Sequence, residues 1–220
     1  MTVPVPHVRH SLHAVLTPEP INGRSSADFA LPDESLLLRF GATSWLIGDL
    51  AKRPYTTILH RSGPVSAVRR DVVAARLEAL TLGACHDGYV LDLVVPQIVP
   101  GDIDTMDAGA SAQWVALDLD GPDVVSRGLE TFGLPELRCR SVDRDALAAT
   151  LAVLNGLTHR IITEWPENDP VGGATVTIAD IAAGLGESES QDRRGLRVTI
   201  SFTGDELLIT LDDDPRTLFA

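Results

Sequence analysis

The sequence predicts an α+β fold, a mainly antiparallel sheet with two principal helices packed on one face. Three observations carry this expectation. Short runs near both ends of the chain alternate apolar and polar residues. Two longer segments instead repeat their apolar residues every three to four positions. The order is strands, helix, strands, helix, strands, without the strict alternation of strand and helix that builds a parallel sheet. At 220 residues the chain is the size of a single domain spanning 1–220, and a two-half arrangement, 1–109 and 110–220, is its variant.

The first strand is "VRHSLHAVL", with Val8, His10, Leu12, Ala14 and Leu16 alternating onto one face. Residues 17–34 hold Pro18, Pro20, Asn22, Gly23 and Pro32 and read as a loop, and "ESLLLRFGATSWLIGDL" reads as two short strands broken near Gly41. The first helix is "PVSAVRRDVVAARLEALTLG". Val65, Val68, Val72, Ala75, Ala79 and Leu82 form one stripe, Val73, Leu77 and Leu80 a second, and Gly83 is the stop. Arg69 and Arg76, between the stripes, are expected to lay their stems on the core and keep their charges in water.

"GYVLDLVVPQIV" is an apolar central strand ended by Pro96, "PGDIDTMDAGASA" an acidic loop, and "QWVALDL" a strand with Val115, Leu117 and Leu119 on one side. The second helix is capped by Ser141, with Asp143 and Asp145 at its positive end. It carries the stripe Leu147, Leu151, Leu154, Leu157 and Ile161, of which Leu147, Leu151 and Leu154 are expected to be fully buried. "EWPENDPVGG" is a loop, "ATVTIADI" a strand and "ESESQDRRG" a polar link. "LRVTISF-TGD-ELLITL" is a hairpin.

Composition bounds the function. Apolar residues are 44% of the chain and aromatic ones 5%, so the core is aliphatic. A net charge of −13 opposes binding to nucleic acid and to anionic membrane surfaces and leaves a basic protein partner as the charge-matched one. No run reaches the roughly 18 apolar residues of a membrane span, and the N-terminal segment lacks the pattern of a signal peptide. Cys85 and Cys139 have no metal-ligand spacing and are expected to be buried, reduced thiols in a cytoplasmic protein.

The most patterned stretch is "RGLETFGLPELRC", residues 127–139. Gly128 and Gly133 permit positive φ or close backbone approach, and Pro135 fixes its own φ and extends Leu134. Proline has no N–H, so the chain cannot pair regularly here and displaced amides need an acceptor. Glu136 is therefore expected to be a buried structural carboxylate. Backbone N–H groups, or an arginine such as Arg127 or Arg160, would bond it and lower its pKa. With "GGATV" and "GLRVTISFTGDELLITL" downstream, the stretch resembles an uncharacterised bacterial family of unknown function with the signature Thr-x-Gly-(Leu/Met)-x-x-Phe-Gly-Leu-Pro-Glu-Leu-Glu. Gly128, Leu129 and Phe132 through Leu137 match it, and the resemblance covers roughly residues 110–211. Ser126 stands in place of Thr and Arg138 in place of Glu. The second change reverses a charge and puts any metal or acid–base role of that position in doubt. The resemblance implies no established activity, though related small domains often occur near bacterial toxin–immunity and secretion loci.

Other candidate chemistry is weaker. His7, His10 and His13 do not converge as metal ligands on either a strand or a helix. Asp118, Asp120 and Asp123 surround Gly121 as an Asp-Gly turn and lack the glutamate of a calcium loop. No nucleophile elbow, phosphate loop or dinucleotide fingerprint is present. Glu136 with Glu164 or Asp180 would form a carboxylate pair for an enzyme, but nothing in the sequence brings them together. Trp165, flanked by Glu164 and Glu167 in the "EWPENDP" loop, is the candidate interaction anchor, with capping of the core from the loop as its structural alternative. The expected function is that of a non-enzymatic binding protein, an immunity-type or accessory factor without cofactor or metal. A small hydrolase or other enzyme with an unmarked carboxylate site is the alternative.

Overall fold

The computed structural model describes residues 2–101, 107–188 and 190–220, and it is an α+β fold built on two sheets. Part of the expected acidic loop, residues 102–106, and Glu189 of the polar link lie outside the described residues. The first sheet runs β2-β1-β3-β4, from β1 (Arg9–Thr17), β2 (Tyr55–Gly63), β3 (Tyr89–Asp92) and β4 (Gln97–Ile98), all antiparallel. The second runs β5-β6-β7-β10-β9-β8, from β5 (Ala116–Asp120), β6 (Asp123–Arg127), β7 (Glu136–Cys139), β8 (Gly172–Thr177), β9 (Gly195–Phe202) and β10 (Glu206–Leu211). Its one parallel pair is β7 with β10, Leu137 opposite Leu207. The predicted terminal hairpin is present as β9–β10.

"ESLLLRFGATSWLIGDL" is not two strands but two short helices, α1 (Glu34–Arg39) and α2 (Ser44–Leu50). Asp33 caps the first by accepting from Ser35 N, and Thr43 caps the second by accepting from Leu46 N. These caps outweigh the apolar run, because Leu37 and Leu50 fall at helical and not alternating positions in the core. The strand expected at "ATVTIADI" ends at Thr177, where a reciprocal cap with Asp180 starts α5 (Ile178–Leu185).

The two long helices, α3 (Val68–Cys85) and α4 (Leu147–Glu164), do not share one sheet face. α3 covers the first sheet and runs past Gly83 to Cys85, while α4 packs against α5 and β8. Asp143, not Ser141, caps the approach to α4. Ser141 has φ 54° and donates its N–H to Asp123. Leu154, Leu157 and Ile161 are fully buried, but Leu147 and Leu151 are half-buried at the margin of the core. The sheets divide near mid-chain, yet the main core does not: Val3, Val65, Val68 and Val72 pack with Leu129, Phe132, Leu154 and Leu207.

β1 corrects the reading of its alternation. Ala14 and Leu16 meet α1 and α2, and Val15 meets Ala79 and Leu80 of α3, so the strand is buried on both faces at this end. The odd-numbered face continues as a polar seam under α3, in which Arg9, Ser11 and His13 are all buried. Arg9 pairs with Asp71 at 3.2 Å. Arg76, expected to reach water, is buried instead. It pairs with Asp92 at 2.8 Å, donates to Gln113 O at 2.6 Å and lies 3.6 Å over the Trp114 ring. His13 Nε2 has no partner among the described residues. Burial pushes the His13 imidazole below its ordinary value of 6.5, against the pull of Asp92 and with the help of Arg76.

Candidate functional site

The signature stretch folds into a tight turn between β6 and β7. Gly128 at φ 119° enters a single 3-10 turn, Leu129–Phe132, and Gly133 at φ 75° leaves it. Both dihedrals lie where side chains are strained. A Cβ at Gly128 would sit 2.7 Å from Val95 Cγ2 and closer still to the Trp114 carbonyl, and one at Gly133 would sit 2.9 Å from Pro6. Leu129, Phe132, Leu134 and Leu137 point into the core, with Phe132 edge-on to Trp114 at 6.1 Å.

Glu136 holds the turn together. Its Oε1 accepts from Gly128 N at 2.8 Å and Glu130 N at 3.4 Å, and its Oε2 accepts from Ser126 Oγ. Ser126 Oγ in turn accepts from Leu137 N at 2.8 Å. The Ser126 hydroxyl thus both donates to Glu136 and accepts from Leu137 N across the turn. Neither expected arginine reaches Glu136, since Arg127 pairs with Asp118 and Arg160 with Glu164. The expected lowering of its pKa is also corrected. Burial pushes the Glu136 carboxyl above 4.5, overcoming the donors at Ser126, Gly128 and Glu130, and no cation offsets that burial. Arg138 binds Asp120 and Asp123 at 3.0 Å and Glu206 at 2.9 Å, an ion-pair network that ties β7 to the β5–β6 turn and to β10.

The outer side of this turn forms one wall of a surface groove of about 490 Å³. Leu134, Pro135 and Gly133 face Pro4, Pro6 and Val8 of the N-terminal segment and Leu12 of β1. Val5 and Val8 are each about half exposed, at 52% and 50%. The polar groups of the groove are His10, His60, Glu130 and Arg9, whose guanidinium is paired with Asp71. His10 and His60 stack at 5.1 Å and 17°, with Nδ1 of one 3.0 Å from Nε2 of the other, so one ring donates to its neighbour. β1 and β2 place them together through the His10–Ser62 and Leu12–His60 pairs. Among the described residues, no group of three or more His, Cys, Asp or Glu side chains is arranged to hold a metal.

The other sequence candidates do not gather into a site. Trp165 is 1% exposed and cannot serve as a surface anchor; it seals the core beneath its loop, its structural alternative. Glu164 pairs with Arg160 at 2.9 Å, and exposed Glu167 lies 3.9 Å from Arg69. Glu136, Glu164 and Asp180 are each held by their own local partners, and Asp180 is spent on the cap of α5. Asp118, Asp120 and Asp123 flank the β5–β6 turn, with Gly121 at φ 63°. Cys139 is buried, and burial with Asp123 nearby pushes its thiol upward, but Cys85 is exposed and not buried as expected.

Sequence reasoning missed two features. Trp45, on α2, is the exposed tryptophan, at 73%. Its position in a helix, facing away from Leu37 and Leu50, is visible only once the two-strand reading is discarded. His60 carries no local motif, because its partner His10 is fifty positions away. No family model matches this chain, and no curated protein or solved structure is significantly similar to it.

Proposed function

We propose that the protein is a non-enzymatic binding protein, an immunity-type or accessory factor of the bacterial cytoplasm. It engages a basic protein partner through the groove beside the signature turn. One observation carries this reading. The turn's central carboxylate, Glu136, is consumed in holding its own turn, while the outer face of that turn presents Pro135 beside exposed Pro4 and half-exposed Val8. Apolar surface of this kind, bordered by polar groups, is what protein partners bury. The charge of −13 speeds encounter with a basic surface, and Glu130 at the rim supplies a local counter-charge. One helix, 144–164, has the length and apolarity of a membrane span, but half of it is buried inside the protein.

The enzyme reading keeps one point in its favour: His10, His60 and Glu130 line the same groove and can move protons. A photo-crosslinking residue at position 8 separates the two. The binding reading expects salt-sensitive capture of a net-basic protein at that position, lost in Glu130→Lys, which reverses the exposed charge at the rim. Turnover of chromogenic esters or phosphates that disappears in His10→Ala and Glu130→Gln, without such capture, would establish the enzyme.

A further inference from the structure

β2 forms one edge of the first sheet, and only its first part is covered. Across that edge, Ser26 N donates to Thr56 O at 2.9 Å and Thr56 N donates to Ser26 O at 2.8 Å. The main-chain groups of Thr56 therefore point away from β1. In an antiparallel ladder this direction alternates residue by residue, so those of Ile58, His60 and Ser62 point the same way. Among the described residues they meet no partner there. The other edges are treated differently. Arg39 Nη2 donates to Leu119 O of β5 at 2.6 Å, Arg160 Nη1 donates to Thr175 O of β8 at 2.5 Å, and β4 is two residues long. An uncovered edge of this length is a template for another strand.

Side chains make the edge concave and locally cationic. A hollow of about 400 Å³ runs along it between Arg24 and the Arg61–Glu78 pair. Arg24 makes no side-chain hydrogen bond or ion pair among the described residues. Ile58 is 45% exposed, and His60 and Ser62 are exposed beside it. On a chain of net charge −13, this is an unpaired cation next to unpaired main-chain donors and acceptors.

We propose that the open edge of β2 at Ile58, His60 and Ser62 binds an extended acidic peptide segment of a partner protein by strand addition. Main-chain pairing holds the segment, and a carboxylate side chain meets Arg24. A second copy of this chain fits less well: a two-fold pairing centred on His60 would set His60 against His60 and place no carboxylate opposite Arg24 by that pairing. This surface shares His60 with the groove of the proposed function, but its main-chain pairing does not rest on that reading.

The test uses the full chain and three fluorescent peptides. One alternates valine and threonine around a central glutamate, one has lysine in place of that glutamate, and one carries N-methyl groups on the pairing edge of the first. The glutamate peptide should bind, the lysine peptide at least about tenfold more weakly, and the N-methylated peptide not measurably. Arg24→Glu should reverse the preference between the first two. His60→Pro removes an outward N–H and the ring contact to His10 but leaves the main-chain ladder to β1, and should abolish binding while the far-ultraviolet spectrum is retained. If His60→Pro unfolds the chain, protection of the Ile58, His60 and Ser62 amides from hydrogen exchange by the glutamate peptide replaces it. Absence of binding at millimolar peptide, or binding indifferent to both N-methylation and Arg24→Glu, overturns the proposal. A concentration-dependent dimer abolished by His60→Pro overturns it in favour of a second copy.

Discussion

The two long helices cover their sheets by opposite chemistry. Under α4, Leu154, Leu157, Ile161 and Ile162 meet the aliphatic residues of β8 to β10 in a core without charge. Under α3, the first sheet presents Arg9, Ser11 and His13, and the helix answers with Asp71 and Arg76. Both helices span 18 residues and both show a helical repeat. The repeat reveals which positions face inward but not what they meet. An arginine between two apolar stripes is read as snorkelling unless its partner, here Asp92 on another strand, is known.

This contrast can be broken most severely at the seam. Asp92→Ala leaves the Arg76 guanidinium buried and unpaired and should cost roughly 3–5 kcal/mol in urea unfolding. Joint replacement Arg76→Met with Asp92→Asn should return part of that loss, since no buried charge is left and the amide oxygen still accepts from Val94 N and Val95 N. Under α4, Leu154→Ala should cost roughly 2–5 kcal/mol. Leu151→Ala should cost about half as much, because Leu151 is half-buried; equal losses would place both leucines at the same depth.

The signature turn stands between the two regions. Gly133→Ala places a side chain at φ 75° and 2.9 Å from Pro6, and should cost on the order of 1–3 kcal/mol. A melting curve matching wild type would show that the turn does not need this backbone.

The smallest effect is a pH slope. The His13 pKa is lowered in the folded state, so below about 6.5 the unfolded chain takes up the proton more readily. Its contribution is present above that value and lost as pH falls toward the folded one. Glu136 acts in the opposite sense. With its pKa raised, its protonated form suits the fold, so its contribution is present below 4.5 and lost as pH rises through the folded value. Unfolding free energies measured between about pH 4 and 8 should therefore lose their slope near 6.5 in His13→Gln and keep it in Glu136→Gln.

Local patterns were legible and distant pairings were not. Leu196, Val198, Ile200 and Phe202 announced the terminal hairpin through strict alternation, and Leu154, Leu157 and Ile161 announced α4. Gly128 and Gly133 announced the turn because glycine at such spacing marks backbone that other residues avoid. α1 and α2 were hidden because apolar runs of six or seven residues suit either a strand or a helix, and the caps at Asp33 and Thr43 decide between them. Trp165 could not be judged from its acidic neighbours, which point outward while the indole points inward. The groove joins residues from the N-terminal segment, β2 and the signature turn, and no periodicity encodes that meeting.

The central claim is that Glu136 is a structural clamp and that the signature presents a surface instead of performing chemistry. The most direct measurement is the unfolding free energy of Glu136→Ala at neutral pH. Loss of the acceptor strands the Gly128 amide and the Ser126 hydroxyl, and the account predicts a cost of roughly 1–3 kcal/mol for the unsatisfied groups, with the β6–β7 turn losing its protection from hydrogen exchange. Wild-type stability in this variant, with the turn still protected, would contradict the account and free the carboxylate for catalysis.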